Sequence, residues 1–222
     1  MSLVVRTLSD RLVDIVRDRI LDGTLRSDVA IRQDALAAEL GVSKIPLREA
    51  LTRLEQEGLV RSQANHGYFV RDLSAGEAEE VFALRLKIEP EAVAIAATRA
   101  TDHDHRRAAL ALADLDTKID RHDIHVGAAN RAFHIALIRP AGRAITLQLL
   151  ERLHVLSERY VGKHLEPTGR DARANDEHAD LLDAWRSRDV DRLHRDMHAH
   201  IETTLIDLRR QLTPDDGAGS QR

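Results

Sequence analysis

From Ser74 onward this chain carries no strand signal, and that boundary constrains the fold more than any other feature. Before it, Leu8, Leu12, Ile15, Val16, Ile20 and Leu21 recur at helical spacing, with Ser9 as the candidate cap and Gly23 as the stop. A short second helix is predicted from about Gln33 to Leu40, ended by Gly41. Ser43 then caps a third helix carrying Leu47, Ala50, Leu51 and Leu54, with Pro46 in the first turn, where a missing amide hydrogen does little harm. Gly58 closes it. Two short strands follow, Leu59 to Ser62 and Tyr68 to Arg71, joined by the turn-forming run Gln63-Ala64-Asn65-His66-Gly67. From Ser74 onward no strand signal appears. Ser74-x-x-Glu77 has the capping-box pattern and opens a long helix to about Ala100; further helices are predicted over 102–121, 124–139, 142–163, 172–187 and 190–212. The chain is therefore expected to be mainly α, with a winged helix-turn-helix over residues 1–72 and an all-helical bundle over 73–212. Residues 213–222, with Pro214, Gly217 and Gly219 and no apolar anchor, are expected to be a disordered tail.

Composition narrows the chemistry. A chain of 222 residues that is 43% hydrophobic can fill two modest cores. No apolar run approaches the roughly 18 to 20 residues a membrane span needs, and the first residues alternate charge with hydrophobe, so a cytoplasmic protein without membrane partners is expected. The chain has no cysteine, which excludes disulfides, thiolate metal sites and thiol nucleophiles and leaves nitrogen and oxygen as the only metal donors. That turns attention to the 12 histidines. The net charge of −4 disfavours indiscriminate nucleic-acid binding, yet the acidic excess lies beyond residue 72, and Lys44, Arg48, Arg53, Arg61 and Arg71 outnumber Glu49, Glu55 and Glu57 between 44 and 71.

Two helices meeting at a glycine turn and followed by a hairpin have the order of a winged helix-turn-helix. In that geometry the third helix enters the major groove, placing Ser43, Lys44 and Ile45 near base edges and Arg48 near the phosphates, while His66 and Gly67 at the hairpin tip reach the minor groove. On spacing alone, a structural domain whose charges merely solvate a helix remains the alternative. The stretch Leu36-Ala-Ala-Glu-Leu-Gly-Val-Ser-Lys-Ile-Pro-Leu-Arg-Glu-Ala-Leu-Thr-Arg-Leu-Glu-Gln-Glu-Gly-Leu-Val60, with His66-Gly67-Tyr-Phe-Val70 after it, closely resembles the DNA-binding domain of the GntR family. The resemblance implies that Ser43, Lys44, Arg48, His66 and Gly67 occupy DNA-contacting positions. Family members commonly carry arginine at Lys44 and threonine at Ile45, and some carry arginine at Asp34. Lysine lacks arginine's planar fork, so an operator sequence does not transfer from relatives. Arg32 and Arg53 are secondary phosphate candidates.

In the helical part, His134, His178 and His200 each lie on an apolar face, and Asn130 sits one helical turn before His134. Taken singly, each is also compatible with a hydrogen-bonded core histidine. Together, four groups from three helices could converge on one divalent cation with positions left open for a ligand. Arg85, four residues before Glu89, is the candidate anchor for a ligand anion; a salt bridge to Glu89 is its structural alternative. His103, His105, His122, His125 and His198 sit among charged neighbours and are expected to be solvated, while His154, His164 and His194 receive no assignment. Arg152 and Arg159 share a helix with Leu149, Leu153 and Leu156 and are open as to direction.

This part resembles the FCD effector domain of the FadR subfamily of GntR regulators, through Arg85-x-x-x-Glu89, Asn130-x-x-Phe-His134, Glu177-His178 and His198-x-His200-Ile201. The resemblance implies a metal site built from an acidic residue and three histidines in this order, at Asn130, His134, His178 and His200, with zinc or nickel as the expected ion. Asn130 departs from the usual aspartate, which removes a negative charge from the site and leaves the cation's full charge to an incoming carboxylate. The expected function is a homodimeric regulator of transcription, a repressor released from double-stranded operator DNA by a small carboxylate effector. A metal-responsive regulator is the alternative. A metal-dependent enzyme acting on a small carboxylate is disfavoured, because no acidic residue stands out as a general base beside the histidines.

Overall fold

The computed structural model describes residues 7–212 apart from 28, 73, 124 and 166–169, with no side chains over 161–172. The tail expected at 213–222 lies outside the described residues. The chain divides into two compact units, Met1–Asp72 and Leu73–Arg222.

In the first unit, α1 (Leu8–Leu21), α2 (Gln33–Glu39) and α3 (Lys44–Glu57) precede a hairpin of β1 (Val60–Gln63) and β2 (Gly67–Val70). Thr7, not Ser9, caps α1: its hydroxyl accepts from the Asp10 amide at 3.1 Å, and Asp10 accepts from the Thr7 amide at 2.8 Å. A cap needs extended backbone, which Thr7 has, whereas Ser9 is already inside the helix. Helices α1 and α3 pack through Leu12, Val13, Val16 and Ile20 against Leu47, Leu51 and Leu54, all buried. Arg17 crosses the same interface to Glu57, with Nε to Oε2 at 3.1 Å and Nη2 to Oε1 at 2.8 Å.

Both strands begin one residue away from the expectation. Leu59 still belongs to the end of α3, its amide donating to the Leu54 carbonyl beyond the left-handed Gly58. The register then pairs Val60 with Val70 and Gln63 with Gly67, which leaves a three-residue loop with Asn65 at φ 62° and Gly67 at φ 87°. Short polar and glycine residues are the ones that tolerate such backbone. A single-residue bridge from Ala30 to Phe69 adds a third edge, and the Ile31 amide donates to the Tyr68 carbonyl at 2.8 Å. One paired residue has no periodicity, so it left no trace in the sequence.

The second unit comprises α4 (Ala75–Arg99), α5 (Asp102–Asp120), α6 (Val126–Ile138), α7 (Ala144–Leu165), α8 (Arg170–Ser187) and α9 (Val190–Leu212), with a 3-10 turn at Arg139–Ala141. Ser74 opens α4 by accepting from the Glu77 amide, and Thr101 opens α5 with a reciprocal box to Asp104. Helix α4 is central and packs against α6, α7, α8 and α9. Phe82 on α4 and, around it, Leu115, Phe133, Leu137, Tyr160 and Trp185 are fully buried. Gly127 lets α6 press on α7: a Cβ there would stand 2.6 Å from Glu158 Cγ, closer than real carbon contacts allow. Among the described residues no helix is long and apolar enough to cross a membrane.

Candidate functional site

Helices α6, α8 and α9 each turn one histidine inward. Each of His134, His178 and His200 offers a ring nitrogen, and these three atoms lie within 4.8 Å of one another. The ring centroids are 5.6 Å apart for His134 and His178, 5.3 Å for His134 and His200, and 4.8 Å for His178 and His200. His134 is fully buried, and the side chain of His200 is 10% exposed. Asn130, one turn before His134 on α6, lines a small cavity of about 20 Å³ together with Arg85, His178 and His200; Phe82, Leu115, Ile119 and Ile201 supply its apolar wall. That is room for about one water-sized species, and the convergent polar groups suit an ion.

Behind the histidines lies a buried ionic cluster. Glu89 on α4 accepts from Arg85 Nε at 2.8 Å, and its Oε1 lies 2.9 Å from His134 Nδ1 and 3.0 Å from His154 Nε2. Arg85 Nη1 also donates to Ser157 Oγ at 3.2 Å. Burial alone would push the Glu89 carboxyl up, but the Arg85 guanidinium and the two imidazoles reverse that effect and hold it well below the usual carboxylate range. Burial pulls His134 down to about 3, against a partial opposing pull from Glu89. Burial and then Arg85 lower His154 as well. His134 is therefore neutral at physiological pH, the state in which imidazole binds a metal. Its Nε2 is buried with no hydrogen-bond partner among the described residues, an orphaned donor atom that fits a metal ligand. Glu89, His134 and His154 are also close enough to hold an ion, but their facing atoms are engaged with one another.

Of the residues singled out from the sequence, Asn130, His178, His200 and Arg85 thus share one cavity, with His134 ringed against the two histidines. Arg85 lines that cavity and also makes the salt bridge to Glu89 that its spacing allowed. The hub role of Glu89 and the inward direction of His154 were missed. The available signal for His154 was its place on one face with Leu150 and Ser157, both buried. His103, His122, His125, His194 and His198 are exposed. His105 is not solvated as expected: it is half-buried, with its ring edge-on to Trp185 at 5.2 Å, because it shares a face with buried Ala108 and Leu112. Arg152 is exposed and Arg159 half-buried, and the His164 side chain lies outside the described residues.

In the first unit Ser43 stands at the N-cap of α3 with no side-chain capping bond, and Ser43, Lys44, Ile45 and Arg48 are all exposed. Ile45 is 71% exposed. Lys44 forms an ion pair with Asp34 of α2. His66 is exposed at the hairpin tip beside half-buried Gly67. Of the secondary candidates, Arg32 is exposed, whereas Arg53 is tied to Asp10.

Comparison with known proteins agrees with this architecture. Residues 8–70 match the gntR family of bacterial regulatory proteins, and residues 80–203 match the FCD domain. The chain is 33% identical over 179 residues to the Nta operon transcriptional regulator of Aminobacter aminovorans, covering 81% of this chain and 74% of that protein. It is 29% identical over 203 residues to the HTH-type transcriptional repressor GlaR of Escherichia coli (strain K12), covering 86% and 90% of the two chains. The fold is similar to that of E. coli McbR/YncC, with a TM-score of 0.82 at 20% identity over 94% of this chain and all of the other. These relatives are named as regulators of transcription, not as enzymes. The chain belongs to the GntR family of bacterial regulatory proteins, and is a transcription regulator in which an FCD domain follows the helix-turn-helix head.

Proposed function

We propose that this regulator is a homodimeric repressor whose release from operator DNA is triggered by a small carboxylate bound at a divalent metal, zinc or nickel, in the helical unit. The observation that carries this reading is the trio of imidazole nitrogens within 4.8 Å of one another, set on a cavity that Asn130 and Arg85 also line. Asn130, His134, His178 and His200 would hold the ion, and every one of these donors is neutral. With no charged side chain bound directly to it, the ion would supply strong positive charge to an incoming anion. Arg85 would complete the anion's surroundings from the α4 side, at the cost of loosening its bond to Glu89. In the head, Ser43, Lys44 and Ile45 would meet base edges, Arg48 a phosphate, and His66 with Gly67 the minor groove. That GlaR is named a repressor supports the sign of regulation.

A ligand can move the protein off DNA only through different affinities for the DNA-competent and incompetent states. The test is operator binding by the full chain, on genomic fragments it selects, with metal alone and with metal plus a panel of small carboxylates. The expected outcome is retention of the fragment with metal and release when one acid is added. Release by zinc or nickel alone, over a physiological range, would establish the metal-responsive reading instead.

A further inference from the structure

We propose that Glu89 and Glu177 are positioning residues, each accepting the Nδ1–H of one ligand histidine and so turning its Nε2 lone pair toward the cavity. The proposal rests on the reading of that cavity as a metal site. Glu89 Oε1 lies 2.9 Å from His134 Nδ1, and Glu177 Oε2 lies 2.7 Å from His200 Nδ1. Both distances are those of a hydrogen bond to a charged acceptor.

The proton assignment follows from the carboxylates' other partners. Glu89 accepts from Arg85 Nε at 2.8 Å, and Glu177 lies 3.3 Å from Arg173 Nε. A carboxylate paired with a guanidinium is anionic and can only accept, so the shared proton belongs to each imidazole Nδ1. In a neutral ring the other nitrogen then carries the lone pair. For His134 that nitrogen, Nε2, is the buried atom with no hydrogen-bond partner among the described residues.

Two different elements supply these carboxylates. Glu89 comes from α4, while Glu177 immediately precedes His178 on α8. Successive helical residues diverge by about 100°, so α8 sends His178 into the cavity while Glu177 reaches across to α9. The chemical gain is charge. Asn130 brings none to the metal, and each glutamate places a negative charge one hydrogen bond behind a ligand, which fixes ring orientation and raises imidazole basicity.

Two measurements on the intact 222-residue chain decide the matter. Long-range 1H–15N correlation of the metal-free chain should show His134 and His200 as Nδ1–H tautomers, and an Nε2–H tautomer at either overturns the assignment for that residue. Cobalt(II) is the metal probe for the second. Glu177 is partly exposed, and glutamine keeps its size and its hydrogen-bonding oxygen, so Glu177→Gln should fold, bind one cobalt per chain with the wild-type absorption band, and do so roughly 10- to 100-fold more weakly. Wild-type affinity in that variant overturns the positioning role. Glu89→Gln should weaken cobalt similarly; if loss of the Arg85 partner unfolds it, the His134 tautomer in the wild-type chain still decides the point. Failure of the wild-type chain to take up cobalt sinks the metal reading itself, and the tautomers then judge the hydrogen-bond assignment alone.

Discussion

Asn130 is the one proposed donor that differs in kind from the other three, and replacing it tests the charge argument directly. Asn130→Asp adds a full negative charge without lengthening the side chain. It should tighten zinc binding by about tenfold or more, read by competition with a chromophoric chelator, while far-ultraviolet circular dichroism stays unchanged. Equal affinity would mean that this side chain does not reach the ion. At this scale the sequence was informative about faces and silent about partners. His134, His178 and His200 were legible because helical spacing puts each on an apolar side, where a solvated ring has no place. Glu89 and His154 were not, because they are 65 residues apart and only packing of α7 on α4 brings their atoms to 3.0 Å.

Helix α3 presents its first turn to solvent, with a cap serine that spends no hydroxyl on its own helix, then a paired lysine, then an exposed isoleucine. A serine hydroxyl can hydrogen-bond a base edge, and an apolar side chain can meet a thymine methyl group. Arg48→Ala should weaken binding to specific and random duplexes alike and flatten the salt dependence by about one phosphate contact. Lys44→Ala should cost the selected operator more than a competitor duplex, by about 1–3 kcal/mol, in fluorescence anisotropy titrations. Equal losses in both variants would show that the two side chains do the same job. Element type and order were readable from period throughout the head, although the cap of α1 was not. The single bridge at Ala30 and the one-residue offsets of both strands were not, because they depend on how the end of α3 is closed rather than on any local pattern.

Across the whole molecule, the two units differ in what acid does to them. In the metal-free helical unit His134 is lowered from 6.5 to about 3, so its neutral burial contributes stability above pH 6.5 that is lost as pH falls toward 3. Glu89, held below 4.5, contributes in the same sense, with its share lost as pH falls below 4.5. The head has no such buried cluster among its described residues, and its lowered carboxyls, Asp10 at about 2 and Glu55, are only half-buried. Trp185, the sole tryptophan of the chain, is fully buried in the helical unit and reports on it alone. On acidification its emission should shift to the red between pH 6.5 and 3, before helicity is fully lost; simultaneous loss of both signals would contradict the separation.

The clearance at Gly127 has a mechanical consequence. Asn130 and His134 ride on the same helix, one and two turns further along, so the depth at which α6 seats on α7 also sets how far both side chains project toward α8 and α9. The aperture of the cavity is thus gauged by a hydrogen atom at a position that carries no chemistry of its own, and one added methyl group there would act on the pocket as a shim.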